Sequence, residues 1–114
     1  MKHEKSLLSG STSMLLLALL KDRDMYGYEM VEELARRSDD TFRLKEGTLY
    51  PLLHTLEKEH CVESYITQTP AGRDRRYYRL TDIGRIQLEF KTKEWKEFSD
   101  KVSAVIGCVA PAGL

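Results

Sequence analysis

Residues 45–59 constrain this chain more than any other stretch: Lys45-Glu46-Gly47-Thr48-Leu49-Tyr50-Pro51-Leu52-Leu53-His54-Thr55-Leu56-Glu57-Lys58-Glu59. Leu49, Leu52, Leu53 and Leu56 recur at i, i+3, i+4 and i+7, which is one apolar stripe of an α-helix. The other side carries Thr48, Tyr50, His54, Thr55 and Lys58. Short or planar hydrogen-bonding side chains there replace the Glu/Lys mixture of an ordinary solvated face. Downstream, Gly72-Arg73-Asp74-Arg75-Arg76-Tyr77-Tyr78-Arg79 sets arginines into a predicted hairpin. A helix with such an outer face beside a basic hairpin is a surface suited to lying on double-stranded DNA.

The flanking patterns supply the rest of a fold. Ser11, Thr12 and Ser13 offer N-caps for a first helix ending near Lys21, with Leu15, Leu16, Leu19 and Leu20 as its buried face. A second helix is expected over residues 26–37, with Tyr26, Met30, Val31 and Leu34 turned inward. Gly27 near its start weakens a helix by roughly 1 kcal/mol, which close packing by a neighbouring element would explain. In the connector, Phe42 and Leu44 alternate with Arg43 and predict a short strand. Pro51 is compatible with the third helix if that begins near Thr48, because first-turn N–H groups have no intrahelical partner to lose.

Residues 62–69 are rich in Val, Tyr, Ile and Thr and read as a strand. Pro70-Ala71-Gly72-Arg73 is a turn signal, and residues 74–80 form the return strand. Thr81-Asp82 then caps a long last helix. Within it, Ile83, Ile86 and Phe90 suit packing against the domain. Trp95, Phe98, Val102, Val105 and Val109 follow at alternating spacings of three and four, a coiled-coil-like seam. Little chain is left to cover that seam, so a partner subunit is its expected receiver. The fold class is mainly α with a small β-hairpin: a winged helix-turn-helix domain over residues 1–81, a C-terminal dimerisation helix over 82–107 and a flexible tail over 108–114.

A chain of 114 residues fits one domain with a modest core, for which oligomerisation is a common way to bury more surface. Its 41% hydrophobic and 32% charged residues are an ordinary soluble balance. The 18 basic and 18 acidic residues cancel, so affinity for DNA depends on local excess, and residues 73–79 hold four arginines against one aspartate. Cys61 and Cys108 fit no metal or redox spacing and read as reduced thiols. The N-terminus loosely imitates a signal peptide, but Glu4 interrupts its basic end and Lys21-Asp22-Arg23-Asp24 closes an apolar run too short to span a bilayer. The protein reads as cytoplasmic, with no membrane partner. His54, Glu57 and Cys61 share a helix face without a recognisable fourth ligand, so no metal is expected. No nucleophile–base arrangement, phosphate loop or nucleotide fingerprint is present, so neither an enzyme nor a cofactor is expected.

Three motifs in order carry a family resemblance. Tyr26-Gly27-Tyr28-Glu29, then Gly47-Thr48-Leu49-Tyr50-Pro51-Leu52-Leu53 with Leu56-Glu57-Lys58-Glu59, then Gly72-Arg73 with Arg75-Arg76-Tyr77-Tyr78-Arg79-Leu80-Thr81 and Gly84 resemble the PadR-like transcriptional regulators over roughly residues 8–106. The length resembles the small branch with a single C-terminal helix. The resemblance implies a homodimeric DNA-binding regulator, commonly a repressor, often responsive to small phenolic or drug-like molecules, with flat aromatic effectors bound between the subunits in some members. Three positions depart from the family pattern. His60-Cys61 stands for Gly-Leu, which sets a histidine where a left-handed helix end favours glycine. His54 stands for a frequent Arg, and Lys45 for a frequent Ser cap.

The candidate DNA contacts are Tyr26, Arg43, Lys45, Thr48, Tyr50, His54, Arg73, Arg75 and Arg76. Alternation along the strand sends Arg75 and Arg76 to opposite faces, and Arg73 at the tip is the firmest of the three. Trp95, Phe98, Val102 and Val105 are the candidate dimer core and effector pocket. Two other function classes fit this fold: a winged-helix protein-interaction module, and a small-molecule sensor that binds no specific DNA. Steep weakening by salt separates DNA binding from both.

Overall fold

A computed structural model describes residues 11–107. In chain order the elements are α1 (Thr12–Asp22), β1 (Met25–Tyr26), α2 (Gly27–Arg37), α3 (Glu46–Lys58), β2 (Val62–Gln68), β3 (Asp74–Leu80) and α4 (Asp82–Ile106). The strands form an antiparallel sheet in the order β1-β3-β2. Three helices, a two-stranded wing and a long closing helix make a winged helix-turn-helix fold, the class the sequence predicts.

The core forms where the helical stripes meet the inner face of the sheet. Leu16, Leu17, Leu19 and Leu20 of α1, Met30 and Leu34 of α2, and Leu49, Leu53 and Leu56 of α3 are buried together with Met25, Val62, Tyr78 and Leu80. Each fully buried leucine or methionine contributes about 1.5–3 kcal/mol. Leu17 takes the buried place expected of Leu15, which is only partly covered. A helix enclosed by neighbours on several sides buries more than one stripe, and α1 packs against α2, β3 and α4. Leu52 is likewise half-buried at the margin of the α3 stripe.

Several boundaries differ from expectation. Met25 and Tyr26 form a strand rather than the start of a helix, with Met25 opposite Tyr78 and Tyr26 opposite Tyr77. Tyr26 is then the N-cap of α2 and only half-buried. Its N–H donates to Glu29 Oε1 at 3.3 Å. Residues 42–45 form no strand; Leu44 is buried in the core cluster and Phe42 packs against it. The α3 helix begins at Glu46, so Pro51 lies in its second turn. There it leaves the Gly47 carbonyl without an i+4 donor. Gly47 and Pro51 are both exposed, so water can satisfy that carbonyl.

The α3 helix ends in a Schellman motif: the Cys61 N–H donates to Leu56 O at 2.9 Å and the His60 N–H to Glu57 O at 3.0 Å. His60 holds the left-handed position at φ 64°. In the wing, β2 pairs with β3 from Val62–Leu80 to Gln68–Asp74. The Gly72 N–H donates to Thr69 O at 2.8 Å, closing the turn, and Gly72 itself sits at φ 85°. Thr81 caps α4 as expected, its Oγ1 accepting the Gly84 N–H at 3.0 Å.

The orientation of α4 is the main correction. Ile83, Ile86 and Phe90 are 51%, 67% and 58% exposed, whereas Gly84 and Leu88 are buried. A Cβ on Gly84 would lie 2.0 Å from the Cys61 carbonyl oxygen. The helix therefore docks through its glycine, and the isoleucines turn away. At roughly 100° per residue, Trp95, Phe98 and Val102 continue the strip begun by Gly84 and Leu88, while Ile83, Ile86 and Phe90 form a separate strip. The Val109 position and the tail over 108–114 lie outside the described residues.

Candidate nucleic-acid interface

The core stripe of α3 dictates what the helix shows outward. With Leu49, Leu53 and Leu56 buried, the line farthest from the core is Gly47, Pro51, His54 and Lys58, at i, i+4, i+7 and i+11, and all four are exposed. This is a low-profile face, small at its first two positions and without an acid. Thr48 and Tyr50 are exposed at its two margins. Sequence reasoning chose those margins and His54, placed Lys58 on the outer side without choosing it as a contact, and left out Gly47 and Pro51. The signal that finds them is geometric: they lie opposite the buried leucines.

Tyr50 explains Gly27. A Cβ on Gly27 would lie 2.3 Å from the Tyr50 hydroxyl oxygen and 2.8 Å from ring carbon Cζ. The ring of Tyr50 therefore lies across the start of α2, and the close packing expected at Gly27 is real. With 43% of its surface exposed, Tyr50 both locks α3 to α2 and presents an edge outward.

Lys45 is the N-cap of α3 and makes no side-chain cap hydrogen bond, as an ammonium has no acceptor to offer the helix N–H groups. Arg43 lies 3.3 Å from Asp40 in an exposed i,i+3 pair, which is weak enough for a phosphate to replace. Arg73 is exposed in the wing turn, its backbone N–H donating to Thr69 Oγ1 at 3.2 Å.

Arg75 and Arg76 occupy opposite faces of the wing, as alternation requires, and both are engaged within the protein. The Arg75 guanidinium carbon lies 4.0 Å above the centre of the Tyr26 ring. Arg76 donates through a guanidinium nitrogen to Ser64 Oγ at 2.9 Å. On the outer face of the sheet, Tyr26 meets Tyr77 edge-on at 5.5 Å and Tyr77 stacks with Tyr65 at 5.8 Å. The Tyr65 hydroxyl donates to Asp24 at 2.6 Å, and this bond, with burial and the aspartate's charge, raises the phenol's pKa. Arg79 pairs with Glu63 on the same face.

Away from this surface, the described residues of α4 carry an apolar arm. Trp95, Phe98, Val102 and Val105 are 50%, 62%, 40% and 86% exposed. Trp95 and Phe98 are neighbours at 6.1 Å between ring centres. A cavity of about 190 Å³ lies between Ser11, Met14, Lys91, Glu94 and Trp95. Cys61 is a free, buried thiol whose pKa is raised by desolvation and by nearby Glu59; Cys108 lies outside the described residues. Among the described residues, no three His, Cys, Asp or Glu side chains converge as a metal site, and no helix is long and apolar enough to cross a membrane.

The sequence model of the transcriptional regulator PadR-like family matches residues 16–90. The chain belongs to the PadR-like family. A transcriptional regulator of Mycobacterium tuberculosis, Rv3488, is 35% identical over 81 residues, covering 71% of this chain and 72% of that protein. The crystal structure of a PadR-like transcriptional regulator from Bacillus cereus is 29% identical with a TM-score of 0.78, covering 90% of this chain and 97% of that one. A transcriptional regulator from Clostridium thermocellum is 33% identical with a TM-score of 0.78, covering 86% and 94%. This PadR-family chain is a transcriptional regulator, with α3 in the place of the helix-turn-helix second helix and β2–β3 as its wing.

Proposed function

We propose that this PadR-family regulator is a cytoplasmic homodimer that binds a pseudo-palindromic operator in double-stranded DNA and represses transcription until a planar aromatic effector enters between its subunits. The observation that carries the DNA reading is the outer line of α3. It is exposed, small at Gly47 and Pro51 and free of acids, it ends on Lys58, and Lys45 stands just before the helix. Such a helix can lie deep in a major groove with Thr48, Tyr50 and His54 reaching base edges or phosphates. Arg43 and Lys45 then meet phosphate near the helix start, and Arg73 carries the wing onto the flanking backbone.

Dimerisation rests on the exposed α4 seam of Trp95, Phe98, Val102 and Val105, with Ile83, Ile86 and Phe90 offering further apolar surface to the second copy. Two α3 helices would then address half-sites about one turn, ~34 Å, apart. Trp95, half exposed beside a cavity, is the stacking surface for the effector. An effector controls such a protein only by binding unequally to the two half-site spacings.

The deciding experiment is selection of bound duplexes from a random DNA pool. An enriched inverted repeat, bound with a steep loss of affinity as salt rises, is the expected result. Retention of scrambled duplexes as well as any selected one would leave a protein-interaction module or a sensor as the better reading. Quenching of Trp95, the single tryptophan, across a panel of planar aromatics tests the effector separately.

A further inference from the structure

The two arginines next to each other on β3 are tied to different partners on opposite sides of the wing. On the inner side, Arg76 donates to Ser64 Oγ at 2.9 Å, and the Ser64 hydroxyl donates to Glu57 Oε2 at 2.7 Å. Glu57 belongs to α3, so this chain of bonds runs from the wing to the helix proposed to read DNA. On the outer side, the Arg75 guanidinium carbon lies 4.0 Å over the centre of the Tyr26 ring, and Tyr26 is the N-cap of α2. The short β1 strand pairs with β3 only at Tyr77 and Tyr78. From Arg76 to the tip, the wing is a two-stranded ribbon, which has little stiffness of its own.

We propose that Arg75 and Arg76 are positioning residues that brace the wing from its two faces and set its angle to α3, rather than phosphate contacts. Arg76 acts through Ser64 and Glu57, and Arg75 through Tyr26. Neither guanidinium is then among the charges that neutralise DNA, and of Arg73, Arg75 and Arg76 only Arg73 meets phosphate. This inference rests on the reading that α3 and the wing bind DNA.

The number of phosphates neutralised sets the salt slope, whereas the rigidity of the wing does not, so the two roles give different signatures. With the duplex enriched by selection as the probe, Arg76→Ala, Ser64→Ala and Glu57→Ala each weaken binding by about tenfold, the size of a local network loss. All three keep the wild-type dependence on salt. The Arg76→Ala/Ser64→Ala double variant is no weaker than either single one, because both break the same chain. Ser64→Thr, which keeps the hydroxyl, retains affinity. Arg75→Lys keeps a phosphate-seeking charge but not the guanidinium over the Tyr26 ring, and loses as much as Arg75→Ala. Arg73→Ala, by contrast, lowers the slope by about one unit. In the free protein, amide order parameters over residues 68–74 fall from about 0.85 towards 0.6 in Arg76→Ala and Ser64→Ala, and retained melting temperatures show that the fold survives.

A slope lowered by about one unit in Arg76→Ala, or unchanged affinity in Ser64→Ala, overturns the brace while leaving DNA binding intact. Failure of the wild-type chain to enrich any duplex instead removes the reading beneath it.

Discussion

His60 is the clearest case of a residue set against its own backbone. It occupies the left-handed corner that ends α3, at φ 64°, with its side chain exposed. For a non-glycine residue that conformation costs roughly 1–2 kcal/mol, while a glycine there costs about 0.5–1 kcal/mol more in lost chain freedom. The strain term is the larger, so His60→Gly is expected to stabilise the protein by about 0.5–1 kcal/mol. A rise in melting temperature of roughly 2–5 °C checks it; a fall would show that the imidazole makes a contact worth more than the strain. Gly84 is the converse. Alanine is the better helix former by roughly 1 kcal/mol, but its Cβ would press to 2.0 Å on the Cys61 carbonyl oxygen, which is backbone and cannot swing aside. Gly84→Ala is expected to cost about 1–3 kcal/mol through displacement of α4, read as a lower denaturant midpoint.

At the scale of elements, the long and strongly patterned pieces were legible and the short or closely docked ones were not. The α3 stripe, the wing strands and the Thr81 cap follow from periodicity and turn chemistry. The β1 strand has two residues, too few for any alternation to register, and exists because β3 offers Met25 and Tyr26 a free edge. Phe42 and Leu44 alternate as a strand would, yet Leu44 is simply buried in the core. In α4 the misreading of Ile83, Ile86 and Phe90 has one cause: in a hydrophobic pattern glycine is a gap, but in packing Gly84 is the contact. The outer line of α3 was half legible, since hydrogen-bonding residues drew attention to Thr48 and Tyr50 while the flat centre at Gly47 and Pro51 has no chemical signal. The engagement of Arg75 and Arg76 depends on where Tyr26 and Ser64 lie, which no local pattern states.

The α2 element also carries a pH dependence. Glu33 accepts hydrogen bonds from Arg36 and Arg37 of its own helix, which hold its pKa down at about 2, and Arg37 reaches on to Asp22 of α1 at 2.6 Å. A carboxylate whose folded pKa lies below its ordinary value stabilises the fold above the ordinary carboxylate range. That contribution is lost as pH falls from about 4.5 to about 2. Melting temperature should decline over this window, and Glu33→Gln should flatten the decline while lowering stability at neutral pH. An acid limb of unchanged steepness in the variant would place the titrating groups elsewhere.

The shape of the whole molecule makes a claim about its assembly. The chain measures 55 × 31 × 24 Å with a radius of gyration of 15.6 Å, against ~13 Å for a compact domain of this size. The excess is α4, a helix of 25 residues whose later turns run past the body of the domain and expose Trp95, Phe98 and Val102. The buried strip of Gly84 and Leu88 continues directly into that exposed seam, so one helix face serves the domain first and then, among the described residues, stands largely uncovered. A second copy supplying the same seam is the self-complementary solution of a two-fold dimer. Phe98→Glu combined with Val102→Glu should therefore yield a folded monomer, since both sites are exposed in the single chain and lie outside its core. Sedimentation measures the mass, and operator binding should collapse with it, because one α3 without its mate holds only half a site. A doubly substituted chain that still sediments as a dimer would move the interface to Ile83, Ile86 and Phe90, the other apolar strip of the same helix.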